Sequence, residues 1–185
     1  SINLDLIYGL PNQTRDTFKT TIAATKAMQP DRISLFSYAH LPERFAAQRK
    51  FGDEILPSAE LKAELYNFAV DSFKSVGYEM IGLDHFAKSS DTLAIAKNKG
   101  ELHRNFQGYT THGGSDLLGL GVSSISTIGN AFAQNPKVLK EYYERLDANL
   151  PPATIGLTLS LDDLIRRDII SSLMCNLVLN KRAVE

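Results

Sequence analysis

Apolar and polar residues alternate with two different periods along the first 77 residues of this chain. The segment INLDLIYG (residues 2–9) has a period of two, which predicts a strand with one apolar face and one face that carries the Asp5 carboxylate. Gly9 ends this strand. Thr14 then predicts the N-cap of a helix that ends before Pro30.

The same order then repeats once. RISLFSYAHLP (32–42) predicts a second strand, and an apolar stripe at helical spacing follows Ser58 and ends at Gly77, a residue typical of helix C-termini. YEMIGL (78–83) predicts a short third strand. Strands that alternate with helices indicate βα units and a parallel sheet.

From Tyr78 onward the pattern is less regular. We predict a helix over 91–100, a strand or strand-turn over 116–127, a helix over 136–146 capped by Asn135, and a last helix that starts at Ser160. Two clear βα units are too few for a complete barrel that stands alone. The pattern therefore predicts an α/β protein in which the tail of a barrel runs into a different C-terminal region.

The two ends of the sequence lack the polar segments that usually bound a domain. The first residues already form an almost complete strand, and the closing NLVLNKRAVE is still partly apolar. We therefore expect an internal piece of a larger protein, with an unpaired strand edge that favours self-association.

Composition excludes several functional classes. The 185 residues are 43% hydrophobic and 22% charged, with a net charge of -1, so no basic face indicates nucleic-acid binding. No apolar run is long enough to span a bilayer. The single cysteine, Cys175, excludes an internal disulfide and a metal site made of cysteines alone. These features are typical of a cytoplasmic protein.

The carboxyl ends of parallel strands are where ligands bind, and Asp5, Tyr38, Ala39 and His40 fall near such ends. A carboxylate in an apolar strand is costly unless it is paired or bound. Asp5 is therefore either a ligand-binding residue or a core aspartate satisfied by backbone amides or a lysine. The four histidines are too far apart in the sequence to indicate a metal site.

Residues 101–129 combine arginine, aromatics and glycines in an apolar context. Gly119 and Gly121 only loosely resemble a dinucleotide-binding loop, since the third glycine is missing and no helix follows. The glycines either let a flat ligand approach the backbone or form a plain turn between strands. Arg104 beside Phe106 suits an aromatic ligand that carries carboxylates, because guanidinium groups match carboxylates.

Several motifs, in order along essentially the whole chain, resemble the later half of the oxygen-independent coproporphyrinogen III oxidases, which are radical S-adenosylmethionine (SAM) enzymes of haem biosynthesis. These motifs are LDLIYGLPNQT, SYAHLPERFAAQRKF, GLDHFAK, ELHRNFQGYTTHGGSDLLGLGVSSIS and IRRDIISSLMCN. The related haem chaperones share DLIYGLP. In those we expect a Glu-Pro-Gly-Thr run after the second strand and a Tyr-Trp pair in place of QGYTT, and neither is present. A third alternative is a non-catalytic tetrapyrrole-binding module.

The resemblance implies a partial (β/α)6 barrel followed by a mostly helical region. Residues 1–77 would be the last βα units, 78–150 an extension that covers cofactor and substrate, and 151–185 the start of the helical domain. The implied reaction oxidatively decarboxylates two propionates of coproporphyrinogen III to vinyl groups, which gives protoporphyrinogen IX. It needs a [4Fe-4S] cluster on a CxxxCxxC motif, two SAM molecules and an electron donor, in a parent protein expected to be a monomer.

The resemblance also carries site residues onto this chain. Asp5 and Ala39 resemble contacts of the second SAM, and Ile125 resembles a contact of the first. Phe106 and Gln107 resemble residues that line the cofactor end of the site. Arg104 is added from its own chemistry as a partner of a substrate carboxylate. No catalytic residue is assigned, and without the three cluster cysteines we expect the chain by itself to bind no cluster and to be inactive.

Overall fold

The computed structural model describes residues 1–181, which form two compact units divided between Lys99 and Gly100. The first unit contains four strands, three helices and two short 3-10 helices. Its elements are β1 (Asn3–Tyr8), α1 (Arg15–Met28), β2 (Arg32–Ser37), the 3-10 helices Ala46–Lys50 and Asp53–Ile55, α2 (Ala59–Lys74), β3 (Tyr78–Gly82), β4 (His85–Lys88) and α3 (Thr92–Lys99).

The strands of the first unit form one sheet in the order β1-β2-β4-β3. β1 and β2 are parallel, joined through α1, as the βα pattern predicted. The expectation of a parallel sheet throughout is wrong, because β4 pairs antiparallel with both β2 and β3. Only Leu83 and Asp84 connect β3 to β4, and a connection that short allows a hairpin but no crossover.

The two edges of this sheet differ. β1 is an edge strand with regular geometry. β3, at the other edge, has a register shift between Met80 and Gly82, and the Lys97 ammonium of α3 donates to the Met80 carbonyl. The β3 edge is therefore distorted and partly covered, whereas β1 is the plainer edge.

The core of the first unit lies between the sheet and helices α1 and α2. Apolar side chains from both layers are fully buried in it, namely Phe18, Ile22, Ile33, Leu35, Leu65, Phe73 and Phe86. In β1, exposed and half-buried residues alternate, so Leu4 and Leu6 face the helices while Asp5 lies on the opposite, exposed face.

The predicted helix starts are confirmed where a hydroxyl can reach the backbone. Thr14 forms a capping box with Thr17, and the Ser58 hydroxyl accepts a hydrogen bond from the Leu61 N–H. α5 starts in the same way after Ser160. These three helices therefore begin where their sequence signals place them.

The second unit contains a hairpin, a three-stranded antiparallel sheet in the order β7-β8-β9 and two helices. Its elements are β5 (His103–Asn105), β6 (Gly108–Thr110), β7 (Ile125–Ile128), β8 (Ala131–Gln134), α4 (Leu139–Asp147), β9 (Ile155–Thr158) and α5 (Leu161–Asn176). Within residues 1–181, no helix is long and apolar enough to cross a membrane. The last four residues of NLVLNKRAVE lie outside the described part.

The predicted cap at Asn135 is wrong, because α4 begins only at Leu139. The Asn135 side chain is buried and donates to the Gly119 and Gly121 carbonyls, at 3.3 and 2.8 Å. It therefore ties down the preceding loop. That loop replaces most of the strand predicted over 116–127.

Candidate functional site

The exposed face of the first sheet carries a small polar network around Asp5. Asp5 and Ser34 are register partners on β1 and β2, so their side chains lie on the same face. The Asn3 amide donates to Asp5 Oδ1 at 2.5 Å and to the Ser34 hydroxyl at 3.2 Å. Asn3 thus orients the carboxylate, and the second oxygen of Asp5 has no hydrogen bond to another described residue.

This geometry decides between the two environments predicted for Asp5. The side chain is exposed, and no ion pair joins it to a lysine within the described residues. The interpretation of Asp5 as a buried core residue is therefore wrong. An exposed, pre-oriented carboxylate can accept hydrogen bonds from a ligand's amino or hydroxyl groups.

The turn after β1 is held by the side chain of Gln13, which lies just before α1. Gly9 has a positive φ of 81°, and its N–H donates to the Gln13 side-chain oxygen at 2.6 Å. A Cβ at Gly9 would lie 2.5 Å from Cε of Lys62. The Lys62 ammonium donates a hydrogen bond to the Tyr38 carbonyl at 3.3 Å. Gly9 is favoured here by its positive φ, whereas the end of the flexible Lys62 side chain could shift to make room for a Cβ.

The turn after β2 contains Ala39, which is exposed. Its carbonyl accepts a hydrogen bond from Nε2 of Gln48 at 3.1 Å, while Oε1 of Gln48 accepts one from the Leu41 N–H at 2.5 Å. Gln48 lies on the 3-10 helix Ala46–Lys50. One side chain therefore fixes the backbone on both sides of His40.

His40 packs between two aromatic rings. Its ring centroid lies 5.2 Å from that of Phe51 and 6.3 Å from that of Tyr38. Nε2 is 3.6 Å from a carboxylate oxygen of Asp53, and the buried Nδ1 has no hydrogen-bond partner in the described structure. Across residues 1–181, no group of three His, Cys, Asp or Glu side chains is placed to hold a metal ion.

In the second unit, Phe106 and Gln107 form the turn of the β5–β6 hairpin, and both are exposed. The Phe106 ring meets Phe132 edge-on, with centroids 5.4 Å apart. Phe132 pairs with Thr127 in the β7–β8 register, so it lies on the same sheet face as Ile125. The structure thus brings Phe106 towards the sheet face that carries Ile125.

Arg104 lies on β5 opposite Tyr109, and its guanidinium carbon is 5.4 Å from the centre of that ring. Tyr109 is buried and donates to the Met174 carbonyl of α5 at 3.1 Å. Burial raises the pKa of the neighbouring Cys175 thiol, and the positive charge of Arg104 opposes part of that rise. Arg104 remains exposed and able to meet a carboxylate.

The glycines of the 116–124 loop have local explanations. A Cβ at Gly119 would lie 2.9 Å from the Ile125 carbonyl oxygen, so the turn itself requires glycine there. Gly121 has a φ of 90°, a conformation that favours glycine. These contacts support the plain turn over the ligand wall as the reason for both residues.

Sequence reasoning missed the residues that hold the exposed site residues in place. They are Asn3, Gln13, Gln48 and Lys62. Each is a polar residue in or next to a predicted strand or helix, and its residue type alone does not distinguish it from ordinary surface residues. The period of two places Asn3 and Asp5 on the same face, and this was the one available signal.

Two of the three comparisons with known proteins found similar proteins. No protein-family model matches the sequence. Two curated relatives, from Salmonella typhimurium and Escherichia coli, are 52% and 50% identical over all 185 residues. A third, from Thermostichus vulcanus, is 44% identical. The chain spans 40% of the length of the first two relatives and 57% of the third.

A solved structure matches the fold with a TM-score of 0.94 at 50% identity, covering 99% of this chain and 42% of that one. Its description is coproporphyrinogen III oxidase from Escherichia coli, a radical SAM enzyme. The α/β fold is therefore that of part of a radical SAM enzyme, which confirms the predicted fold class. All three relatives are named oxygen-independent coproporphyrinogen III oxidase, so the resemblance to this family is confirmed along the whole chain.

Proposed function

We propose that this chain is part of an oxygen-independent coproporphyrinogen III oxidase and forms part of the surface that holds its cofactor and substrate. The observation that carries the proposal is 52% identity along all 185 residues to a protein of that name. In this proposal the whole enzyme acts in the cytoplasm, takes electrons from a donor and binds coproporphyrinogen III.

The first unit supplies a carboxylate and a fixed turn. Asp5, oriented by Asn3 and open to solvent, accepts hydrogen bonds from donor groups of one SAM. Ala39, held by Gln48, contacts the same molecule. The chemistry of an exposed carboxylate beside a rigid backbone turn fits a ligand that carries amino and hydroxyl groups.

The second unit supplies an apolar surface and a cation. Ile125 contacts the other SAM of the pair that we propose, and Phe106 and Gln107 line the cofactor end of the site. Arg104, a permanently charged group with five N–H donors, binds a propionate of the substrate. Bound to its cluster, SAM supplies the radical chemistry of the decarboxylation.

The iron–sulfur cluster does not fit the residues of this chain. A cluster of this type needs thiolate ligands, and the chain has a single cysteine, Cys175, which is buried in α5. The cluster therefore belongs to the part of the relatives that this chain does not match, and no step of the reaction through it is assigned to residues here.

The test uses the full-length protein that contains this chain, reconstituted anaerobically with iron and sulfide. With coproporphyrinogen III, SAM and a reductant, we expect conversion to protoporphyrinogen IX, measured by chromatography after oxidation to the fluorescent porphyrin. Omission of SAM is the control and abolishes the product. Loaded protein that binds SAM but leaves coproporphyrinogen III unchanged would refute the proposal.

A further inference from the structure

The Gln48 side chain makes two hydrogen bonds of opposite sense to one short stretch of backbone. Its Nε2 donates to the Ala39 carbonyl at 3.1 Å, and its Oε1 accepts from the Leu41 N–H at 2.5 Å. Gln48 is half-buried, whereas most of its neighbours on the 3-10 helix are exposed. The contact joins residues seven and nine positions apart.

At neutral pH, where a glutamate is ionised, only a primary amide of this length satisfies both backbone groups at once. A glutamate keeps the acceptor for the Leu41 N–H but, when ionised, has no donor for the Ala39 carbonyl. A leucine of similar size has neither group. The arrangement therefore depends on the amide chemistry of Gln48 and is more specific than simple packing.

The stretch is also fixed on its other side. The Tyr38 N–H donates to the Tyr8 carbonyl at 2.8 Å, and the Tyr38 carbonyl accepts from Lys62 at 3.3 Å. Ala39 thus lies between the end of β2 and the Gln48 amide. Because Gln48 occupies the Ala39 carbonyl, the N–H and the methyl group of Ala39 are left to meet a ligand.

We propose that Gln48 is a positioning residue, which holds the Ala39 turn in the conformation that binds SAM. The proposal rests on the proposed function, since it assigns Ala39 to the cofactor site. Gln48 itself touches backbone and acts on the ligand through Ala39. Loss of the two Gln48 hydrogen bonds, here called the Gln48 clamp, raises the free energy needed to order the turn when SAM binds. SAM binding is therefore weakened more than turnover.

The experiment compares Gln48→Glu and Gln48→Leu in the reconstituted full-length protein. The matched control is Glu43→Gln, the reverse exchange at an exposed residue of the same segment. Equilibrium dialysis with labelled SAM, without substrate, measures the dissociation constant. We expect both Gln48 variants to bind SAM roughly three- to tenfold more weakly at pH 7.5, the effect of about one lost hydrogen bond. KM for SAM should rise, and kcat at saturating SAM should stay within about twofold.

The pH profile separates positioning from general stability. As pH falls from 7.5 to about 4, protonation of most of the new carboxyl in Gln48→Glu restores a donor for the Ala39 carbonyl, so SAM affinity should recover relative to Gln48→Leu. If Gln48→Leu does not fold, Gln48→Glu decides alone. Unchanged SAM affinity, or a lower melting temperature with unchanged affinity, overturns the inference. A parent protein that binds no SAM instead refutes the proposed function.

Discussion

At the residue scale, the exposed face of β1 explains how an aspartate is tolerated in an apolar strand. Asp5 points away from the core, so its charge stays hydrated and needs no lysine. The hydrogen bond from Asn3 orients the carboxylate without neutralising it. Such a carboxylate loses little hydration free energy when the chain folds, and it is accessible to a ligand.

We predict that Asp5→Asn in the full-length protein leaves the melting temperature unchanged, because the side chain is exposed and its volume is kept. SAM binding should weaken by roughly 0.5–2 kcal/mol, since a neutral hydrogen bond replaces a charge-assisted one. Equilibrium dialysis and thermal melting measure the two effects. Asp71→Asn, an exposed exchange on α2, is the control. A large fall in melting temperature with unchanged affinity would show that Asp5 serves the fold.

The second prediction concerns Cys175, whose side chain is 3% exposed. Burial raises the pKa of this thiol, so folding disfavours the thiolate. The thiol should react slowly with Ellman's reagent at pH 8 in the native chain and rapidly in guanidinium. Its contribution to stability is fully present below the pKa of the unfolded thiol and is lost as pH rises through the folded value. Equal rates in both states would contradict this prediction.

At the element scale, helices and strands were predicted correctly from the sequence where a local signal, such as a helix cap or a period of two, marks them. α1, α2 and α5 begin after hydroxyl caps, and β1 follows a clear period of two. The hairpin β5–β6 and the strands β8 and β9 were missed, because three or four residues are too short for a period to emerge.

The same distinction holds for the site. The exposed orientation of Asp5 follows from alternation, whereas the clamp by Gln48 joins segments whose meeting depends on tertiary structure. Asn135 was misread for the same reason. Its position before a proline is typical of a cap, but burial against the loop carbonyls of residues 119 and 121 determines its role.

A third prediction tests the Thr14 cap. Thr14→Ala should lower the free energy of unfolding by about 1 kcal/mol, because the Thr17 N–H loses its partner at the start of α1. Thr20→Ala, an exposed exchange within the same helix, is the matched control and should change stability less. Urea unfolding followed by circular dichroism measures both. Equal effects of the two substitutions would rule out a specific capping contribution.

At the scale of the whole molecule, the first unit has a sheet edge and exposed apolar groups that favour association. Among residues 1–181, β1 has no strand partner on one side, and Ile7 and Phe36 are 45% and 37% exposed on the same face. An uncovered edge of this kind is a template for strand pairing.

We predict that the 185-residue chain self-associates in a concentration-dependent manner, measured by sedimentation velocity. Ile7→Lys should weaken the association by placing a charge beside the edge. Ile95→Lys, which changes a similarly exposed isoleucine on α3, should not. A stable monomer at high concentration would show that the edge is already protected.

The unequal edges of this sheet also limit how far association can proceed. The register shift in β3 and the hydrogen bond from Lys97 to the Met80 carbonyl oppose the addition of another strand at that edge. β1 is therefore the edge at which a second copy pairs more easily. Two copies that join through β1 use the same surface on each partner, which is the condition for twofold symmetry. Each copy has then used the plainer edge of the first unit's sheet. Association through this sheet should therefore close as a dimer instead of extending into a fibre.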